Sequence, residues 1–330
     1  MTTTAPIRIG ILGAAAIVPM ALTKPVRSVP EAQVVAIAAR DPKRAAAFAR
    51  KHHIACVHQT YNDLLADPEI DAIYNPLPNG LHAEWTIRAL KAGKHVLCEK
   101  PFASNASEAQ EMARVAEETG LVVSEAFAYR YHPLAARIRE IMASGELGRI
   151  QHIDAQFCFL LPTPKNIRFQ YGLGGGSLMD NGCYPASLIR YLAEAEPQVD
   201  SARARLFSPQ VDSAMTANLS FADGRTARLT CDMLSPALFR SIVRVQGEAG
   251  TLAVINPFHP HWFHWLRVRG RNGSRFEHVR GANAYILQLR AFIKAIRGEM
   301  KLNTSPADAV SNMRLIDTIY EKAGLKQRGT

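Results

Sequence analysis

Among these 330 residues, the first whose types and spacing offer chemistry are Gly13-Ala14-Ala15-Ala16-Ile17-Val18, just after an apolar run from Ile7 to Leu12. A turn from a strand into a helix N-terminus presents free N–H groups and a positive dipole, which is what a pyrophosphate needs. The dinucleotide fingerprint wants glycine at the first, third and sixth places of that turn; here they are Gly13, Ala15 and Val18. Alanine adds only a methyl at the close-approach position, so the turn suits a phosphate and equally an ordinary strand–helix connection. After the second apolar run the chain reads Ala38-Ala39-Arg40-Asp41. An NAD site carries an acid there for the ribose 2′-hydroxyl, whereas the guanidinium of Arg40 suits the 2′-phosphate of NADP. As plain structure, Arg40 is a solvated loop residue and Asp41 a helix cap. Lys100 follows the apolar run His95–Cys98, at the carboxyl end of a strand, where open parallel sheets bind their ligands.

These residues need a scaffold, and hydrophobic patterning supplies one. Apolar runs at Ile7–Gly13, Val34–Ala38, Ala72–Tyr74, His95–Cys98 and Leu121–Val123 read as buried strands. Helical segments separate them. Met20–Val29 is shortened or kinked by Pro25, and Lys43–Lys51 opens with Asp41 as N-cap and Pro42 at the first helical position. Leu81–Ala92 and Ser107–Thr119 complete the alternation, which implies right-handed βαβ units and a doubly wound parallel sheet over residues 1–125. Beyond it the pattern is α+β over residues 126–330. A helix at His132–Ser144 precedes strand-like runs with turns at Ala222-Asp223-Gly224-Arg225 and Glu248-Ala249-Gly250. Helices return at Tyr285–Arg297 and Pro306–Ala323. The fold class is therefore α/β followed by α+β, with a cleft between two domains as the expected ligand site.

Composition narrows the function classes. With 48% hydrophobic and 21% charged residues, the chain reads as globular, not disordered. The run from Ile9 to Thr23 contains Gly10, Gly13 and Pro19 and is too short for a bilayer; it reads as a strand turning into a helix rather than a signal peptide. Five scattered cysteines, none in a C-x-x-C pair, argue against a disulfide framework or zinc and for a reducing cytoplasm. His259-Pro260-His261 and His264 lack acidic companions and a helical H-x-x-x-H pair, so no metal is expected. The net charge of +10 is concentrated late: from His261 onward there are 13 Lys+Arg against 5 Asp+Glu. Arg267, Arg269, Arg271 and Arg275 flank Asn272-Gly273, as on the solvated face of a hairpin. Base-stacking aromatics are not interleaved with them, so nucleic acid is not an expected partner.

Longer motifs carry a resemblance. Tyr74-Asn75-Pro76-Leu77-Pro78-Asn79-Gly80-Leu81-His82, Gly93–Pro101 with Glu99-Lys100-Pro101, Glu125-Ala126-Phe127 with Tyr129-Arg130-Tyr131-His132-Pro133, and Gly174–Tyr184 resemble the Gfo/Idh/MocA oxidoreductases in order and spacing. The likeness covers essentially the whole chain; the departure is Ala15 in the glycine turn. It implies a Rossmann domain and a second domain with a large, open, mostly antiparallel sheet that commonly mediates assembly, here as a homodimer or homotetramer. It implies NADP(H), or NAD(H), and a sugar, cyclitol or dihydrodiol-like substrate. It places Gly13, Ala14, Ala15, Ile17, Arg40, Pro76, Leu77, Asn79, His82, Glu99 and Lys100 at the cofactor, with Pro101 in a cis bond.

On that pattern, hydride arriving at a carbonyl carbon builds negative charge on oxygen, which must receive a proton. Tyr184 is the proton donor, Lys100 its electrostatic partner, and Asp180 the group that orients them or the substrate. A neighbouring cation makes a phenol more acidic. Asp180 and Tyr184 share a face if the segment is helical, although Pro185 opposes an unbroken helix. Histidine replaces this tyrosine in the inositol-dehydrogenase branch. The tyrosine form is closer to the glucose–fructose oxidoreductase, dihydrodiol dehydrogenase and sugar-ketoreductase branches. Arg130, Tyr131 and Arg168 are pocket candidates, Arg168 being also a natural salt-bridge residue. The alternative function is a dinucleotide-binding sensor without turnover.

Overall fold

The protein, described by a computed structural model over residues 5–163, 165–271 and 273–329, divides into two units. One comprises Met1–Ala103, Ser107–Ala128 and Tyr285–Val310; the other comprises Ser104–Ala106, Tyr129–Ala284 and Ser311–Thr330. The chain thus re-enters the first unit late, which a single division near residue 125 does not capture.

In the first unit, strands β1 (Ile7–Leu12), β2 (Ala32–Ala38), β3 (Cys56–His58), β4 (Ala72–Asn75), β5 (His95–Cys98) and β6 (Val123–Glu125) form a parallel sheet in the order β3-β2-β1-β4-β5-β6. Ile9, Ile11, Ile37, Ile73 and Leu97 are all at most 2% exposed. Each such side chain contributes roughly 1.5–3 kcal/mol by leaving water, which is why uninterrupted apolar runs, not alternating ones, mark these strands. Helices α1 (Pro42–His52), α2 (Tyr61–Ala66), α3 (His82–Lys91) and α4 (Ala106–Thr119) link the strands. The Asp41 side chain accepts from the Lys43 amide at 2.9 Å, and α1 closes on His53 in the left-handed conformation. Strand order reverses between β1 and β4, and such a switch point opens a crevice at the carboxyl ends.

Two of these elements escape the hydrophobic pattern. Strand β3 has three residues and α2 six, too few for a period to show; α2 is fixed instead by a capping box between Thr60 and Asp63. Strand β6 is shifted two residues along the chain from the apolar run Leu121–Val123, because its pairing to β5 runs from Val96↔Val123 to Cys98↔Glu125. Its polar residues are buried with partners. Ser124 Oγ is 2.9 Å from Thr304 Oγ1, and Glu125 Oε1 accepts from the Phe102 amide at 2.9 Å.

The second unit is built on β7 (Ile150–Leu160), β8 (Gln198–Ser208), β9 (Val211–Ser220), β10 (Thr226–Asp232), β11 (Leu234–Gly247), β12 (Thr251–Ile255), β13 (Trp265–Gly270) and β14 (Gly273–Glu277). Their order is β14-β13-β12-β11-β7-β10-β9-β8, antiparallel except for the parallel pair β7–β10. Helix α5 (Pro133–Ala143) precedes it. Helix α6 (Cys183–Ala193) packs on β7 and β10. Helices α7 (Ala284–Ile296) and α8 (Pro306–Lys322) end the chain. Ile153, Ala155 and Phe157 of β7 are buried while His152, Asp154 and Gln156 alternate with them on the other face, the signature of a sheet covered on one side.

The hairpin arginines separate. Arg267 and Arg269 share the outward face of β13, whereas Arg275 stands opposite buried Val268 and pairs with Glu146 and Glu277. Asn272, the other half of the turn, lies outside the described residues. Among those residues no helix is long and apolar enough to cross a membrane.

Candidate active site

At the end of β1, Gly13 adopts φ +88° and its amide donates to the Ala38 carbonyl at 2.7 Å. A Cβ there would lie 3.1 Å from Leu77 Cδ2, so both the torsion and the space favour glycine. The amides of Ala14, Ala15, Ala16 and Ile17 form no hydrogen bond among the described residues. In place of the expected helix, the chain then makes a π turn (Pro19–Thr23) and a 3-10 turn (Pro25–Ser28). Pro19 and Pro25 each remove an amide donor, which keeps the element short. Four open amides beside a positive-φ glycine, at the switch of a parallel sheet, fit a pyrophosphate whether or not residue 15 carries a methyl.

Arg40 is exposed at the end of β2, close enough to Tyr61 for its charge to act on that phenol. Arg44 reaches the Ala14 carbonyl with Nη2 at 2.8 Å. Burial raises the Tyr61 pKa against the pull of both guanidiniums. Arg44 was invisible as a site residue because its sequence context is only the third position of a capped helix. The sheet brings that helical turn to the β1 loop.

Pro76 and Leu77, both buried, follow β4, and Asn79 starts a 3-10 turn (Asn79–Leu81). Beneath them Asn75, fully buried, donates through Nδ2 to the His82 carbonyl at 3.2 Å and to Thr86 Oγ1 at 3.1 Å. His82 is 1% exposed, with Nδ1 2.8 Å from the Pro101 carbonyl and Nε2 2.7 Å from that of Leu77. Burial lowers its pKa to about 4, with the Lys100 charge acting in the same direction. Glu99 is also buried and accepts from the Tyr74 hydroxyl at 2.7 Å. Burial raises its pKa, opposed first by Lys100. His82 and Glu99, grouped from the sequence with cofactor-contacting residues, therefore lie beneath the surface and tie the loop after β4 to the turn after β5. Lys100 stands half-buried at that turn, joined to Pro101 by a cis peptide.

The second unit presents Asp180 and Tyr184. Asp180 belongs to a π turn (Leu178–Gly182), and α6 begins at Cys183, so the two do not sit on one continuous α-helix. The change of helix type falls just before Pro185, which then occupies the first turn of α6 where proline is tolerated. Asn181 anchors this turn: its Nδ2 donates to the Phe157 carbonyl at 2.5 Å and its Oδ1 accepts from Ser177 at 2.9 Å. Asp212 holds the segment before it, accepting from the Leu178 amide at 2.7 Å, from Tyr320 at 3.0 Å and from Arg328 Nη2 at 2.9 Å. Arg328 Nε also donates to the Gly175 carbonyl at 2.7 Å. Asp212 and Arg328 side chains are both 0% exposed. Gly176 has φ +138°, and a Cβ would meet Asp212 Oδ1 at 2.3 Å. Sequence reasoning missed Asp212 and Arg328, which are 116 residues apart and carry no local signal.

Arg168 donates through Nε to Asp180 Oδ1 at 2.7 Å. Its pKa is raised by Asp180, with Tyr184 acting in the same direction. The Tyr184 ring lies edge-on to Phe157 at 5.3 Å and near Phe258 at 5.3 Å. Arg168, Asp180 and Tyr184 thus form one charged cluster on an aromatic floor. Arg130 is turned elsewhere: 7% exposed, it lies 4.2 Å over the Tyr191 ring, with Nη1 3.3 Å from Ser187 Oγ. Tyr131 is half-buried in the 3-10 turn Ala128–Tyr131. Of the late histidines, His259 stacks on Trp262 at 4.5 Å, and His264 bridges the Pro260 carbonyl and the Val279 amide. The sequence also missed Cys56, His58 and Asp67, whose side-chain donor atoms lie within 4.8 Å of one another.

Known proteins share both units. Residues 7–127 match "Oxidoreductase family, NAD-binding Rossmann fold" and residues 135–253 match "GFO/IDH/MocA C-terminal domain". The chain is 35% identical to D-xylose 1-dehydrogenase (NADP(+)) 2 of Haloferax volcanii, covering 95% of this chain and 96% of that protein. It is 34% identical to a dTDP-3,4-didehydro-2,6-dideoxy-alpha-D-glucose 3-reductase of Saccharopolyspora spinosa, over 80% and 79% of the two chains. The crystal structure of KijD10, a 3-ketoreductase from Actinomadura kijaniata in complex with NADP and TDP-benzene, superposes with a TM-score of 0.90. That match has 29% identity and covers 96% of this chain and 98% of that one. Both halves of the molecule, each with its own motif set, thus lead to the same conclusion: the protein belongs to the Gfo/Idh/MocA family and is an NAD(P)-dependent oxidoreductase.

Proposed function

We propose that the protein prefers NADP(H) and transfers hydride between nicotinamide and a secondary alcohol or ketone of a sugar, cyclitol or dihydrodiol-like substrate. The observation that carries this reading is the cluster of Tyr184, Asp180 and Arg168 in the second unit; in the first unit Lys100 follows the carboxyl end of β5. The nicotinamide, when bound, gives or accepts the hydride. Tyr184 passes a proton to the carbonyl oxygen, and the Lys100 ammonium stabilises the negative charge that grows there. Asp180, held by Arg168, orients the substrate or the phenol. The amides of Ala14, Ala15 and Ile17 hold the pyrophosphate, and Pro76, Leu77 and Asn79 flank the dinucleotide. His82 and Glu99 act from below, as positioning residues for the Lys100 turn. Tyr131 borders the substrate pocket, and Arg130 acts from behind it through Tyr191 and Ser187.

Arg40, with Arg44 beside the same loop, receives the 2′-phosphate. The xylose dehydrogenase, named for NADP(+), and the ketoreductase, crystallised in complex with NADP, support that preference and a carbohydrate-like substrate. Five free cysteines, four of them buried, suit a reducing cytoplasm. Assembly as a homodimer or homotetramer uses the outward face of the second sheet, where Trp265 and Phe276 are 60% and 69% exposed.

Lys100→Met and Tyr184→Phe should each lower kcat at least about a hundredfold with NADPH binding retained. Turnover is followed by NADPH absorbance over a panel of sugars, ketosugars and dihydrodiols; a near-normal rate removes that residue from the mechanism. Arg40→Ala should weaken NADPH about tenfold or more and leave NADH unchanged, since it deletes a charge-assisted contact. Equal affinity for both cofactors, unaltered by the substitution, ends the 2′-phosphate assignment.

A further inference from the structure

Cysteine, histidine and aspartate side chains meet at the edge of the first unit's sheet, outside every motif used above. Cys56 and His58 are two residues apart on β3, the end strand, so their side chains leave the same face. Asp67 caps the C-terminus of α2, the next element along the chain. The capping box between Thr60 and Asp63 starts that helix soon after β3, and its six residues bring Asp67 back beside His58. Lys94 Nζ donates to the Asp67 and Ile70 carbonyls at 2.8 and 2.7 Å, and Asp67 Oδ1 accepts from the Glu69 amide at 2.8 Å. These bonds fix the cap and leave Oδ2 to the histidine.

His58 Nε2 is 3.5 Å from Cys56 Sγ and 3.0 Å from Asp67 Oδ2, and the three atoms lie within 4.8 Å of one another. Both neighbours converge on the same ring nitrogen. That separates the cluster from a nucleophile relay, in which the nucleophile and the orienting acid meet opposite nitrogens. If Nε2 carries a proton, its N–H points at the carboxylate and the sulfur gains nothing. If Nε2 is bare, its lone pair faces an ionised oxygen. A cation in that place accepts from sulfur, nitrogen and oxygen together. Tetrahedral zinc, with bonds of about 2.0–2.3 Å, sets S–N and N–O edges of about 3.6 and 3.3 Å. Two edges are near those lengths, and rotation of the exposed Cys56 closes the third. Among the described residues this is the one grouping of three such side chains at ligating distance. Other histidines have different company: His82 lies between two carbonyls, His152 meets Thr226, and His264 joins a carbonyl and an amide.

We propose that Cys56, His58 and Asp67 bind a divalent transition-metal ion of the zinc class, with water in the fourth position. A thiolate, an imidazole and a single carboxylate oxygen suit zinc, whereas calcium and magnesium take oxygen ligands. The thiol proton passes to solvent as the sulfur coordinates. Strands β2, β1 and β4 lie between β3 and β5, so the ion sits about 19 Å from the strand that ends before Lys100, at ~4.8 Å per strand. Its role is structural: it ties a three-residue edge strand to the end of a six-residue helix.

The test uses the intact, tag-free protein stripped with a chelator, titrated with zinc chloride by calorimetry and with cobalt(II) by absorbance. Wild type should bind zinc saturably, melt at a higher temperature with zinc present, and show thiolate-to-cobalt charge transfer. Cys56→Ser should lose that absorption and bind zinc at least about tenfold more weakly. Asp67→Asn, which keeps an acceptor for the Glu69 amide, should weaken zinc binding but retain the absorption. Cooperative melting of both variants without metal shows that they are folded. Absence of zinc binding in wild type, or equal binding in wild type and Cys56→Ser, overturns the site. So does a cobalt spectrum without thiolate charge transfer, because the ion then rests on other groups.

Discussion

The Lys100 turn and the Asp180 turn are braced by opposite means. The Lys100 turn sits at the end of a parallel strand, and what braces it is short-range and largely uncharged. Tyr74 meets Glu99 one strand away, and the His82 ring lies between two backbone carbonyls. The Asp180 turn has no strand continuing into it. It is braced by Asn181 against β7 and by a fully buried Asp212–Arg328 pair that enlists the C-terminal residues. A strand end inherits its position from the sheet, so weak local bonds suffice. An irregular π turn needs a strong contact from a distance.

If that contrast holds, the largest stability effect should come from Arg328→Met. It strands the Asp212 carboxylate in the interior, which costs about 3–5 kcal/mol, and it loosens Gly175 and Leu178. Denaturant melts should show the loss, with kcat falling alongside it. A loss below about 1 kcal/mol would mean that the turn does not depend on the tail. Tyr74→Phe is the matching change in the other unit. Glu99 Oε1 loses a neutral donor, and the expected cost is about 1–3 kcal/mol. A greater loss than in Arg328→Met would reverse the comparison.

Acid should act on both units through buried histidines. His82 and His132 each have pKa lowered to about 4, chiefly by burial. Between their ordinary value of 6.5 and 4 the unfolded chain binds protons that the folded chain refuses. Their contribution is therefore intact above 6.5, and stability falls as pH drops through this window. Glu277, lowered to about 2 from 4.5 first by its hydrogen bond with Arg137, adds a loss that starts below 4.5. Glu99 and Asp212, raised by burial, work in the opposite direction. His132 caps α5 by accepting from the Leu134 amide. His132→Asn keeps a capping acceptor and should flatten the slope between pH 6.5 and 4 in urea titrations. An unchanged slope would place the acid sensitivity in His82 or elsewhere.

The first unit was readable because its strands are buried on both faces, so apolar runs, Gly13 and the Asp41-Pro42 cap mark its elements directly. Strand β3 and helix α2 were too short to show a period, and β6 was read two residues early because Ser124 and Glu125 are polar yet buried with partners. In the second unit the turns near Asp223-Gly224 and Ala249-Gly250 marked two hairpins, but the strand order and the parallel β7–β10 pair had no local signature.

Local spacing encodes the alternation of strands and helices, the strand-end placement of Lys100 and the motif set that ties the chain to its family, so these three were legible in the residues alone. Tertiary structure alone decided which polar residues serve the candidate site. It buried His82 and Glu99 beneath the Lys100 turn, brought Arg44 to the β1 loop, turned Arg130 toward Tyr191 and gave Asp180 its Arg168. It also joined Asp212 to Arg328. The physical reason is common to all of these: such contacts join residues distant along the chain, and their strength depends on burial and register, which exist only once the sheets have formed.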